Sequence, residues 1–248
     1  MEGIEQKTLA QIVIAEPETA SVMEKFGLDF CCKGKQTLTE ACANAGKDIK
    51  VVIQDIETAI RKVDKNHPPE HFEKMELDAL VSHILHHHHD YMKRSMPVIH
   101  THLSKIAGVH GERHPELHEV LRNFDAMMMD LEQHLLKEEE VLFPYIKTLV
   151  LAKHEPDHHH FGKTHFIENP IRVMLSEHDR AGELMGNIRE FINGFELPAD
   201  ACTTYKTAFH ELKKFEEDLH LHVHLENNIL FPKAKALENV LFRVISDQ

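Results

Sequence analysis

Two short stretches, HLLKEEEVLFP (134–144) and HVHLENNILFP (222–232), share the pattern His-x-x-x-Glu-x-x-(Val or Ile)-Leu-Phe-Pro. Residues four apart on an α-helix lie on one face, one above the other. His134 with Glu138, and His222 with Glu226, are therefore placed to aim an imidazole and a carboxylate at one point. Such side chains are ligands for borderline and hard metal ions. Upstream, His89-Asp90 precedes His134 and His178-Asp179 precedes His222 at nearly equal distances, so the chain reads as two copies of one helix pair. A lone His-x-x-x-Glu is weak evidence, since about two arise by chance in a chain this rich in both residues. The shared Leu-Phe-Pro ending and the matched upstream histidines carry the signal.

The expected ligand set is His89, His134, Glu138, His178, His222 and Glu226. The repeat register selects Glu138 over Glu139 and Glu140, because asparagines follow Glu226, and selects His222 over His220 and His224. Four imidazoles and two carboxylates without a thiolate disfavour a zinc-finger site and suit iron. With two histidines per metal and both glutamates bridging, each metal has four protein ligands. An oxo or hydroxo bridge adds a fifth, leaving one octahedral position for water or a diatomic molecule. A bridged pair of this kind stands roughly 3.5–4 Å apart. Glu177, beside His178, has two readings: an outer group that orients a ligand or relays a proton, or an ordinary surface glutamate. His86, His87 and His88 are expected to flank the site without binding. The histidines at 154, 158, 159, 160 and 165 are expected to be solvated, and the Met127-Met128-Met129 run to fill core.

These side chains need long helices to hold them. Hydrophobic residues make up 42% of the 248 residues, enough for a core, and tryptophan is absent. The expected fold is all-α: a small N-terminal helical domain over 1–63, a linker at 64–72 (DKNHPPEHF), and an antiparallel four-helix bundle over 73–248. Helical patterns run from about Glu73 to Ile106, from near His114-Pro115 through the first repeat, from near Asn169-Pro170 to about Phe195, and from about Pro198 to Leu241. Residues 153–168 read as a loop. The net charge of −13 argues against nucleic acid as a partner. No apolar run approaches the ~20 residues of a membrane span. MEGIEQKTLA lacks the basic and apolar segments of a secretory signal, so a cytoplasmic protein is expected.

Of the four cysteines, Cys31 and Cys32 are adjacent in the turn-like DFCCKGKQTL. They are candidate redox thiols or parts of a packed turn. The charge of Lys33 beside Cys32 has two readings: it lowers a thiol pKa and raises reactivity, or it alters the turn. Cys42 and Cys202 are expected to be buried small apolar residues.

DFCCKGKQTL, KEEEVLFP, SEHDRAGEL, DACTTYK and HLENNILFP together resemble the hemerythrin-like proteins, and more narrowly the Repair of Iron Centres family of the ScdA kind, over nearly the whole chain. The resemblance implies that the four histidines bind two irons and that Glu138 and Glu226 bridge them. It implies repair of iron–sulfur clusters damaged by nitric oxide or peroxide, with damaged cluster proteins as partners and a homodimer as assembly. Nitric oxide reduction at the di-iron site, or sensing or storage of O2 or NO, is the alternative. The family's double cysteine is usually followed by two glycines. Here Lys33 precedes Gly34.

Overall fold

The computed structural model describes residues 3–63, 71–154 and 166–246. It is all-α. Among the described residues there is no strand, only an isolated antiparallel bridge between Thr8 and Thr37. Most of the expected linker (64–70) and of the histidine-rich loop (155–165), including positions 158, 159, 160 and 165, lies outside the described residues. The chain divides into two compact units: Met1–Leu80 with His220–Lys233, and Val81–Leu219 with Ala234–Gln248.

In the first unit, α1 (Leu9–Ala15), α2 (Ala20–Phe26), α3 (Leu38–Asn44) and α4 (Ile49–Arg61) surround a core of Leu9, Ile12, Met23, Phe30, Leu38, Val52 and Ile56. Both α1 and α3 open with a capping box. Thr8 accepts from the Gln11 N–H at 3.2 Å and its own N–H donates to the Gln11 side chain at 3.0 Å. Thr37 and Glu40 repeat the arrangement at 3.2 and 2.9 Å. The two caps are tied together: the Leu9 N–H donates to the Gln36 carbonyl at 2.9 Å and the Leu38 N–H to the Lys7 carbonyl at 3.0 Å. This clasp closes the turn carrying Cys31 and Cys32. Thr8→Ala and Thr37→Ala are each expected to cost about 1 kcal/mol, since each leaves first-turn N–H groups without their acceptor. Urea unfolding followed by circular dichroism measures this, and an unshifted midpoint would count against the clasp.

A four-helix bundle follows, most of its residues in the second unit, with Leu77–Leu80 and His220–Lys233 counted in the first. Its first helix is α5 (Leu77–His83), which passes through a π-helical stretch (Ile84–His89) into α6 (Asp90–His110). The second is α7 (Glu116–Lys137), a π stretch (Glu138–Leu142) and α8 (Phe143–His154). The third is α9 (Glu168–Phe191). The fourth is α10 (Thr203–Leu225), a π stretch (Glu226–Leu230) and α11 (Phe231–Ser246). Helix α7 packs chiefly along α9 and α6, over buried Leu103, Val120, Phe124, Leu131, Met185 and Phe215. Glu238 of α11 is buried and caps α9 from outside, accepting the Phe166 and Ile167 N–H groups at 3.0 and 3.1 Å and the Tyr145 hydroxyl at 2.7 Å.

Helix ends differ from expectation by a few residues. The first helix runs through Gly108 to His110, and the third stops at Phe191. Of the methionine run only Met127 enters the core, while Met129 is 66% exposed, because consecutive helical positions face different sides. Cys42 is buried, but Cys202 is exposed at the start of α10, 3.3 Å from His110 Nε2. The expectation of burial fails there because Cys202 lies in the turn before the helix, outside its apolar stripe.

Candidate metal centre

Each of the three π stretches carries a candidate ligand. In an α-helix a residue's N–H returns to the carbonyl four back. Here the Phe143 N–H donates to Glu138, Phe231 to Glu226, and Asp90 to Leu85, each five residues back. In both repeats the next residue is proline, Pro144 or Pro232. Proline has no N–H to return, and its ring crowds the carbonyl four residues back. The wider π turn accommodates this and begins at the glutamate itself. The shared Leu-Phe-Pro ending therefore accounts for a backbone irregularity of a kind found mostly at functional sites.

Inside the second unit the structure brings His89, His134, Glu138 and His178 together. All four are at most 1% exposed. One Glu138 carboxylate oxygen, Oε2, lies 3.4 Å from His89 Nε2 and 3.3 Å from His134 Nε2. His178 Nε2 stands 3.1 Å from His134 Nε2. In the first unit, His222 Nε2 lies 3.1 Å from a Glu226 oxygen, and both residues are fully buried.

The outer faces of two histidines are held by carboxylates. His134 Nδ1 donates to Glu177 at 3.0 Å, and Lys137 also pairs with Glu177. The His134 hydrogen bond, with help from Lys137 and against partial burial, pulls the Glu177 carboxyl down to about 2. His89 Nδ1 donates to Glu139 at 2.8 Å, and Lys93 reaches the same carboxylate at 2.6 and 2.7 Å. Burial alone would raise the Glu139 pKa, but the bonds from Lys93 and His89 outweigh it and hold it below the usual range. Both carboxylates are thus ionised at neutral pH and fix the proton on Nδ1. In the neutral ring, Nε2 then presents a lone pair inward. Glu139 has a role that spacing did not reveal, because its partners lie on another helix.

The donor set fits a metal ion. Two ligands about 2.1 Å from one metal and at right angles stand about 3 Å apart, and the separations above fall between 3.1 and 3.4 Å. Fully buried carboxylates and inward lone pairs are costly without a cation to face. The neighbouring histidines have other partners. His88 Nδ1 meets Asp218 at 2.9 Å, His220 Nδ1 meets Glu24 at 2.6 Å, and His86 and His87 are exposed, each returning Nδ1 to its own helix backbone. His224 is buried against the Phe30 ring at 5.3 Å, and burial lowers its pKa to about 4.

The two thiols of the double cysteine have different surroundings. Cys31 is buried and Cys32 partly exposed, their sulfurs 3.7 Å apart. The Cys32 contact, burial and nearby Asp29 raise the Cys31 pKa well above normal, so Cys31 stays a thiol. Asp29 accepts the Cys32 N–H at 2.8 Å.

A helical bundle with buried histidines and glutamates on π turns defines a hemerythrin-like cation-binding protein. Residues 80–234 match the Hemerythrin HHE cation binding domain, and residues 5–60 match a Domain of Unknown function (DUF542). The chain is 32% identical over 231 residues, 93% of its length, to proteins named Iron-sulfur cluster repair protein YtfE in Escherichia coli (strain K12 / DH10B) and Shigella boydii serotype 4, covering 97% of each. The chain belongs to the Repair of Iron Centres family.

Proposed function

We propose that this chain is a di-iron protein that repairs iron–sulfur clusters damaged by nitrosative or oxidative stress, by supplying iron. The observation that carries the reading is Glu138, one of whose oxygens faces both His89 and His134 from a fully buried position. That position supports the reading of Glu138 as a carboxylate shared by two metals. In this reading His89, His134, His178 and His222 hold two irons, Glu138 and Glu226 bridge them, and an oxo or hydroxo group completes the bridge. The sequence repeat supports the matched roles of the two halves, and the hemerythrin match spans both. When bound, iron supplies the redox-active and transferable ion. The chain's part is to keep Nε2 of His89 and His134 unprotonated through Glu139 and Glu177 and to exclude bulk water from the ligands.

The relatives' name supports repair over nitric oxide reduction or diatomic sensing. Residues 1–63 form the double-cysteine domain, 64–72 the linker and 73–248 the iron-holding bundle, a division supported by the separate family matches at 5–60 and 80–234. Cys31 and Cys32 contribute thiol chemistry, with Cys32 the accessible member. The client is a damaged cluster protein, the site is open to NO and O2, the assembly is a homodimer and the compartment the cytoplasm. Among the described residues no helix is long and apolar enough to cross a membrane.

The test is a cluster enzyme inactivated with nitric oxide. Iron-loaded chain restores its activity and the metal-free chain does not. Equal recovery with both, or none with either, would refute iron supply. Nitrous oxide release from the reduced protein under single turnover would point to the reductase instead.

A further inference from the structure

The two repeats differ just after the ligand glutamate. The first has Glu139-Glu140, the second Asn227-Asn228. In the first, Glu139 turns to a ligand histidine, His89. In the second, both asparagines turn to the double-cysteine turn. Asn227 Nδ2 donates to the Cys31 carbonyl at 3.3 Å. Asn228 Nδ2 lies 3.3 Å from both the Phe30 and Cys31 carbonyls and 3.1 Å from His224 Nδ1.

The turn is pressed on this amide from the other side as well. A methyl group at Gly34 would come within 2.4 Å of the Phe30 carbonyl, 2.9 Å of Ala10 Cβ and 3.3 Å of Asn228 Oδ1. Gly34 is itself pinned by its carbonyl, which accepts the Ala10 N–H at 2.9 Å. Glycine is thus required at 34 for close approach, and the carbonyl that any larger residue would displace is an acceptor of Asn228. The Phe30 ring seals the contact, edge-on to His220 and His224 at 6.4 and 5.3 Å.

We infer that Asn227 and Asn228 are positioning residues that fasten the π turn beginning at Glu226 to the backbone of the Cys31–Cys32 turn, so that the double-cysteine segment sets how tightly Glu226 retains iron. The inference rests on the reading of Glu226 as a ligand. A π turn closes its backbone hydrogen bonds over five residues, where the helix around it closes them over four. Lateral hydrogen bonds from two consecutive side chains fix its rotation and hence the aim of Glu226. A chain that must both keep and surrender iron gains a point of control there, reached through a turn bearing a partly exposed thiol.

The experiment compares iron-loaded wild type with Asn227→Asp/Asn228→Asp, which keeps size and removes the donors. The rate at which a ferrous chelator strips iron from the reduced protein is followed, after iron content and the ferric optical spectrum are recorded. The double variant is expected to release iron about tenfold faster, the effect of losing the partly buried hydrogen bonds of two amides. Gly34→Ala, which displaces the acceptors instead of the donors, should act in the same direction. Glu140→Gln, the position matching Asn228 in the first repeat, should not. Wild-type release rates in both the double variant and Gly34→Ala, with wild type holding its iron, overturn the inference. Wild type that holds no iron overturns the metal reading and this inference with it.

Discussion

Glu138→Ala is expected to abolish iron binding altogether, whereas His178→Ala should only weaken it. The difference follows from geometry. One Glu138 oxygen sits 3.4 Å from His89 Nε2 and 3.3 Å from His134 Nε2, so a single truncation takes a ligand from both histidine groups. His178 approaches only His134, at 3.1 Å. Colorimetric iron determination after anaerobic loading reads the result, and full iron content in Glu138→Ala would sink the shared-carboxylate account.

The second large effect lies one layer out. Glu139→Gln and Glu177→Gln are each expected to weaken iron affinity by about 10–100-fold. Glutamine keeps the shape and can still accept from Nδ1. It carries no charge, so it no longer holds the ring proton on that nitrogen or raises the basicity of Nε2. Lys93 and Lys137 lose their counterion at the same time. The two carboxylates serve different histidines, His89 and His134, so the double variant should combine both losses. Competition with a chelator of known affinity measures this, and unchanged affinity in both variants would show that the outer carboxylates are surface ion pairs and nothing more.

Legibility in the sequence followed the range of the interactions. The all-α fold was readable because apolar periodicity is local, and the two ligand-bearing segments because a duplication repeats its register. The π turns left a trace, the prolines at 144 and 232, but its meaning needed the backbone bonds to Glu138 and Glu226. Helix α3 lies beyond a segment read only as a turn, although Thr37-x-x-Glu40 announces its cap. Repeat register argues against Glu139 as a ligand. Its task of holding His89 depends on which helix packs alongside, and no spacing within one helix contains that. The asparagines after Glu226 served as a negative argument, yet they carry contacts of their own to Phe30 and Cys31. Residue type points to burial for Cys202, while its place before α10 exposes it.

The most direct measurement is diffraction at the iron absorption edge from crystals of the iron-loaded protein. The account predicts two anomalous peaks that share the Glu138 carboxylate, with His134 and His178 on the same iron. A single peak, or iron lying out of reach of Glu138, would contradict it.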